Sequence, residues 1–239
     1  MTDLLHKVFA AHGGLDRWTS FEKVSATIAS GGELWGMKGI KEDSTPRRVT
    51  ADIRREWVSV APAGNPDWRL TFTPERTVIE ASDHSIIAER SHPRAAFANH
   101  TLNTPWDPLH RSYFTGYAMW TYLNTPFIMA LPDFSVEEIA PWQEGDETWR
   151  VLRVTFPAAV ESHCPVQEFY FGPDFLLRRH DYQVDVSGGF PAAQYVYDMV
   201  EADGIRFPAK RRAHPRRADG QPDRDRTYVR IDLSEYGMS

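Results

Sequence analysis

Gln167–Val186 reads QEFYFGPDFLLRRHDYQVDV, two alternating runs on either side of one turn signal, Gly172-Pro173-Asp174. Side chains on a strand point to opposite faces with a period of two, and a short Gly/Pro/Asp turn between two such runs describes an antiparallel hairpin. In the second run, Leu176–Val186, one face carries Arg178, His180, Tyr182, Val184 and Val186, and the other carries Arg179, Asp181, Gln183 and Asp185. The first set is the more apolar, so His180 and Tyr182 are expected to point into the protein.

The pattern extends outward in both directions. Downstream, strand-like runs cover Ala193–Glu201, Ile205–Ala213 and Tyr228–Leu233, the first two joined by the tight turn Ala202-Asp203-Gly204. The polar stretch Arg216–Arg226, RRADGQPDRDR, reads as an exposed loop. Upstream lie Ser135–Ile139 and Thr148–Phe156, and nearer the start Val49–Val60, Trp68–Thr73, Thr77–Ala81 and Ser85–Glu89. Before these, Val24, Ala26 and Ile28 alternate with Ser25, Thr27 and Ala29, and Glu33–Met37 after Gly31-Gly32 reads as the second half of a first hairpin. Thr2 is a natural N-cap for a helix that places Leu4, Leu5, Val8 and Phe9 on one face before Gly13-Gly14 end it.

Between the two groups of strands the period changes. Pro93–Asn99 and Asp107–Leu123 are helical in pattern, and the second crowds Tyr113, Tyr117, Trp120 and Tyr122 into one segment. The apolar continuation from Asn124 to Pro132 must be buried. Strands interrupted once by an aromatic helical block imply a mainly β (α+β) fold: a highly curved antiparallel sheet, an incomplete β-barrel, wrapped around central helices with a helix at the N-terminus. Residues 1–239 are expected to form a single domain with a small-molecule pocket on the concave side.

Composition narrows the function classes. With 41% hydrophobic and 13% aromatic residues the chain can fill a large core, and a net charge of −6 with little clustering of Lys and Arg argues against nucleic acid as a partner. The single cysteine, Cys164, rules out an intrachain disulfide, disfavours a Cys-based zinc site and fits a reducing compartment. Met1–Ala11 is interrupted by Asp3 and His6 and does not read as a signal peptide, and no run approaches the ~18 apolar residues of a membrane span. A cytoplasmic protein without stable membrane insertion is expected.

Conventional catalytic and cofactor signals are missing. The nine histidines form no HExxH or HxH pair, and GxGxxG, GxxxxGK[ST] and GxSxG motifs do not occur, so neither a metal nor a cofactor is expected. His180 with Tyr182 could supply acid/base chemistry or orient a ligand, the alternative being a hydrogen-bonded structural histidine. His163, in Glu161-Ser162-His163-Cys164-Pro165, precedes the partner strand and could approach the same place or stay in a surface loop. His110 opens the aromatic helix one turn before Phe114. Tyr113, Phe114, Tyr117, Trp120, Tyr122 and Phe127 are candidate cavity walls or plain core, and of the two faces of Ala193–Glu201 the one with Tyr195 and Tyr197 is the better pocket candidate. Cys164 has no evident activating base, and Lys210-Arg211-Arg212 reads as a solvated strand face.

The order of elements resembles the lipoprotein-localisation (LolA/LolB-like) half-barrel. Gly172-Pro173-Asp174-Phe175-Leu176-Leu177-Arg178 between two strands, and Asp203-Gly204-Ile205-Arg206-Phe207-Pro208 before a basic strand, are similar to passages of that superfamily. The resemblance implies a container for acyl chains or other apolar ligands; the missing export signal argues against lipoprotein transport itself. The expected function is cytoplasmic binding of an apolar or amphipathic small molecule, of acyl-chain or isoprenoid class. The alternative is a cofactor-independent isomerase, cyclase, hydratase or lyase using His180 as acid/base with Tyr182 assisting.

Overall fold

The computed structural model describes residues 2–239. Thr2 caps the first helix, α1 (Asp3–Ala11), by accepting a hydrogen bond from the Leu5 N–H at 3.2 Å. Gly13 and Gly14, at φ 116° and 94°, turn the chain into a short second helix, α2 (Leu15–Thr19). Only glycine fits at position 13, because a Cβ there would stand 2.2 Å from the carbonyl oxygen of Gly204.

Thirteen antiparallel strands then build one sheet. The first arm is β1 (Lys23–Gly31), β2 (Arg47–Asp52), β3 (Val58–Ala61), β4 (Trp68–Thr73), β5 (Arg76–Ala81) and β6 (Ile86–Ser91). The second is β7 (Ser135–Glu144), β8 (Glu147–Thr155), β9 (Val166–Phe171), β10 (Leu177–Val184), β11 (Phe190–Ala202), β12 (Ile205–Pro215) and β13 (Val229–Met238). Each arm is a meander of nearest neighbours, and the arms join where β1 pairs with β13, with Ile28 opposite Leu233 and Gly31 opposite Arg230. The sheet is curved and unclosed, its edges being β6 and β7. This is the incomplete barrel expected from the alternation.

Two local expectations change. Glu33–Met37 is not a strand but a helical turn, α3, that buries Leu34 and Trp35: the neighbours of β1 are already β2 and β13, so no hairpin partner is needed after Gly32. Val49–Val60 divides into β2 and β3 around a turn in which the Asp52 carboxylate accepts from the N–H groups of Arg54 and Arg55.

The central helix, α4 (Pro108–Asn124), lies on the concave face across β1–β6. Asp107 accepts from the His110 N–H at 2.8 Å while the His110 ring accepts from the Asp107 N–H at 3.2 Å, a reciprocal cap in which Pro108 occupies the first turn. From Ser112 to Asn124 every residue except Thr115 is buried, as a helix enclosed on all sides must be. Gly116 permits this, since a Cβ there would stand 2.2 Å from the ring of Phe72 on β4. The core is the inward face of the sheet, for example Val24, Ala26, Val49, Phe72, Phe169 and Phe207, packed around α4, α1 and α2.

Candidate functional site

On the side of α4 facing β9–β12, the helix and sheet are locked by polar groups. Tyr182 points inward from β10 and stacks on the His163 ring at 4.0 Å between centroids; His163 lies between the hydroxyls of Tyr117, 3.2 Å from Nδ1, and Tyr122, 2.7 Å from Nε2. Tyr122 reaches the Tyr182 hydroxyl at 3.0 Å, Gln194 Nε2 donates to that hydroxyl at 3.2 Å, and Arg211 donates to Gln194 Oε1 at 2.9 Å and to the Tyr122 carbonyl at 2.8 Å. His180 is bonded through Nε2 to Gln167 Oε1 at 2.6 Å and stacks on Phe169. Burial pushes His163 down to about 3, with Arg94 adding to the effect, and holds His180 well below its ordinary value. A neutral imidazole donates through one nitrogen and accepts through the other, so His163 links its two tyrosines as a donor to one and an acceptor from the other.

The structure therefore brings His163, His180 and Tyr182 together with Tyr117, but as a filled interior: His180 is 0% exposed and His163 1%. His110 serves in the helix cap, with Nε2 3.2 Å from the Ala96 carbonyl. Tyr113 bonds Glu161 and Arg94, Trp120 donates to the Asp52 carbonyl at 2.9 Å, and Phe127 stacks between Phe9 and Trp18 against the N-terminal helices. Arg211, read from sequence as part of a solvated face, is inward and 1% exposed; alternation sends Lys210 out and Arg211 in.

Tyr195 and Tyr197 require a correction, because both project from the opposite, convex face. His180 pairs with Gln194 and Arg179 with Tyr195, and directly opposed residues share a face, so an inward His180 places Gln194 and Val196 inward and Tyr195 outward. There Tyr195 joins Trp149, Val151, Tyr170 and Ala193 in a separate cluster around Arg179, whose guanidinium is bidentate to Asp181 and lies over Trp142, Tyr170 and Tyr195. Tyr197 is 39% exposed. A bulge at Arg178 underlies the mixed parity of β10: Leu177 faces in before it, His180 and Tyr182 after it.

A mainly apolar concavity lies on the other side of α4. A cleft of about 380 Å³ separates the first two turns of the helix from β1–β5. Its depth is apolar, with Ile28, Val60, Leu70 and Ile79 of the sheet and Trp106 before the helix, and its rim is exposed at Gly39, Gly64 and Pro108. The helix contributes Pro108, Arg111, Ser112 and Thr115, residues at the i, i+3, i+4, i+7 spacing of one face. Ile28, Ser30 and Thr115 also line a small chamber of about 30 Å³, walled by Phe114, Met119 and Trp35, that leads toward Tyr122. Of the residues singled out from sequence, Phe114 and Tyr122 line this chamber, Trp120 borders a separate concavity beside Pro74 and Leu131, and none lines the cleft.

The charged residues lining the cleft are arginines. Arg47, inward on β2 opposite Ile28, is paired with Asp43. Arg111 lies over the Trp35 ring at 4.9 Å, and burial together with the neighbouring Arg47 lowers its pKa. Sequence reasoning missed both: Arg47 stands beside Arg48 in a basic pair, and only the strand register tells which of the two turns inward. Among the described residues no group of three or more His, Cys, Asp or Glu side chains is placed to hold a metal ion, and no helix is long and apolar enough to cross a membrane.

Solved structures share this fold at low sequence identity. A LolA superfamily protein from Nitrosomonas europaea superimposes with a TM-score of 0.53 at 12% identity, over 98% of this chain and 90% of its own. The chain has a LolA-like fold. A DUF1329 family protein from Desulfovibrio piger gives a TM-score of 0.55 at 10% identity over 100% of this chain and 94% of its own. A domain assigned to outer membrane lipoprotein sorting from Vibrio parahaemolyticus gives 0.53 at 9% over 96% and 93%. No protein-family model matches the sequence, and no curated protein does. At these identities the LolA-like likeness is one of fold alone.

Proposed function

We propose that this protein binds an apolar or amphipathic small molecule, of acyl-chain or isoprenoid class, in the cleft between α4 and β1–β5. The observation that carries the reading is the cleft itself: about 380 Å³, apolar in its depth, open at its rim and continued by a small apolar chamber. Ligand sites typically fall at roughly 300–1,000 Å³, with mostly apolar walls and a few placed polar groups. A LolA-like fold assigned in one neighbour to lipoprotein sorting is in keeping with it. The reading extends to a cytoplasmic location, in keeping with a lone free thiol, Cys164; fractionation of cells making the full-length product checks that part.

Catalysis by His180 with Tyr182 has less support, because both are enclosed in the helix–sheet packing rather than facing the cleft. Titration of the purified chain with N-phenyl-1-naphthylamine, a neutral fluorophore that brightens in apolar surroundings, tests the binding proposal, with native mass spectrometry of solvent-extracted and untreated protein beside it. Saturable brightening at about one site per chain is expected. No saturable binding and no co-purifying apolar molecule would overturn it.

A further inference from the structure

The overall charge is −6, yet the cleft carries arginines and no Asp or Glu in its walls. Asp43 is the only carboxylate that pairs with Arg47 among the described residues. Arg111 has no ion pair and no side-chain hydrogen bond there, its one protein contact of note being the face of Trp35. Two guanidinium groups therefore line the cleft with one carboxylate between them, and it pairs with Arg47 alone.

The neutral groups point the same way. Trp106, 6% exposed and part of the wall, leaves its indole N–H without an acceptor. Lys38 lies behind it, fully buried, with Nζ 4.6 Å above the Trp106 ring and bonded to the Thr101 carbonyl at 2.8 Å, and it too has no carboxylate partner. The groups left over around this cleft are donors and positive charges. A buried donor without an acceptor is unfavourable, and a guanidinium against an apolar wall is best matched by an oxyanion that takes two parallel N–H bonds.

The geometry points to an anionic amphiphile as the ligand: an oxyanion head, carboxylate or phosphate, held by Arg111 and Arg47, with an apolar tail lying between Ile28, Val60, Leu70 and Ile79. This rests on the cleft being the binding site and adds the chemistry of the head group to it. The placement also explains why Arg111 follows the helix cap: at that position the α4 backbone fixes its Cα beside the wall that holds Arg47, and Trp35 supports the flat guanidinium from behind.

The test compares head groups on one tail. Dodecanoate, dodecyl phosphate, dodecanol and dodecyltrimethylammonium, each below its micellar concentration, compete with N-phenyl-1-naphthylamine on the full chain. Dodecanoate or dodecyl phosphate should bind about tenfold or more tighter than dodecanol, with dodecyltrimethylammonium weakest. Whichever anion binds more tightly identifies the source of the oxyanion. Arg111→Gln should abolish the preference for the anion over dodecanol, and Arg111→Lys should lie between. Equal binding of anion and alcohol, or preference for the cation, overturns the head-group assignment with the cleft intact. Failure of the fluorophore and all four amphiphiles to bind overturns the cleft and the assignment together. The wild-type comparison decides the matter even if the Arg111 variants do not fold.

Discussion

On the side of α4 that faces the first arm, Gly116 lets the helix close onto Phe72, yet Arg111, Ser112 and Thr115 stand off from β1–β5 around the cleft. On the side that faces the second arm there is no such gap: Tyr117 and Tyr122 are tied through His163, Tyr182 and Gln194 to Arg211. One helix thus has a side held by directional bonds between fully buried groups and a side that leaves apolar surface unfilled. Because orphaned polar groups in a buried network are expensive, the first side tolerates little change. The second can be altered in shape and charge without dismantling the core, as a ligand site needs.

The contrast is broken most directly at Tyr182. Tyr182→Ala removes a ring stacked on His163, leaves the Gln194 Nε2–H without its acceptor and strips the Tyr122 hydroxyl of one of its two partners, and should lower unfolding free energy by about 3–5 kcal/mol in urea titrations. A loss under about 1 kcal/mol would mean that the tyrosine–histidine side is not the rigid one.

Acid should weaken the same side, and with it the packing of α1, at whose end the His12 ring bonds the Val8 carbonyl and meets Phe171 of β9. Burial holds His163 at about 3 and His12 at about 4 in the folded chain, whereas an unfolded imidazole titrates near 6.5. Between those values the unfolded chain binds protons that the folded chain does not. Their share of the stability is therefore complete above about pH 6.5 and is lost as the pH falls toward 4 and then 3. Each site adds a slope approaching about 1.4 kcal/mol per pH unit. His163→Gln should flatten the stability profile between pH 6 and 4 by roughly one proton's worth; an unchanged slope would show that His163 is already protonated in the fold.

Smaller effects are expected on the other side. Thr115→Phe fills the cleft where it meets the small chamber and should shift stability by less than about 1 kcal/mol while weakening N-phenyl-1-naphthylamine binding about tenfold or more. Retained binding would place the site elsewhere. Least of all should come from Tyr197→Ser on the convex face, within about 0.5 kcal/mol in stability and without effect on binding. A loss of binding there would return the convex face to consideration.

The architecture was readable because its signals are local. Alternation, the turns Gly172-Pro173-Asp174 and Ala202-Asp203-Gly204, the Thr2 and Asp107 caps and the aromatic helix each follow from a few neighbouring residues. The cleft was not readable because it depends on register. Whether Arg47 or Arg48 turns inward, and whether Tyr195 or Gln194 faces His180, is set by pairings between strands, and the bulge at Arg178 breaks the parity that alternation assumes. Aromatic residues also misdirect: of those on α4, Phe114 and Tyr122 reach only the small chamber, and the cleft lies beside Pro108, Arg111 and Thr115, residues without a strong signal of their own.

The junction of β1 with β13 has a consequence for how the molecule is made. Within each arm every strand meets a neighbour close in sequence, so both meanders can assemble as the chain emerges. Their union has to wait for β13, since Ile28 and Gly31 of β1 pair with Leu233 and Arg230. Until β13 arrives, β1 has one side of its backbone unpaired, and the nascent protein exposes a strand edge at the centre of its future sheet. Synthesis therefore passes through a long interval in which half a shell waits for its other half, and the slowest step of folding should be the meeting of two preformed arms.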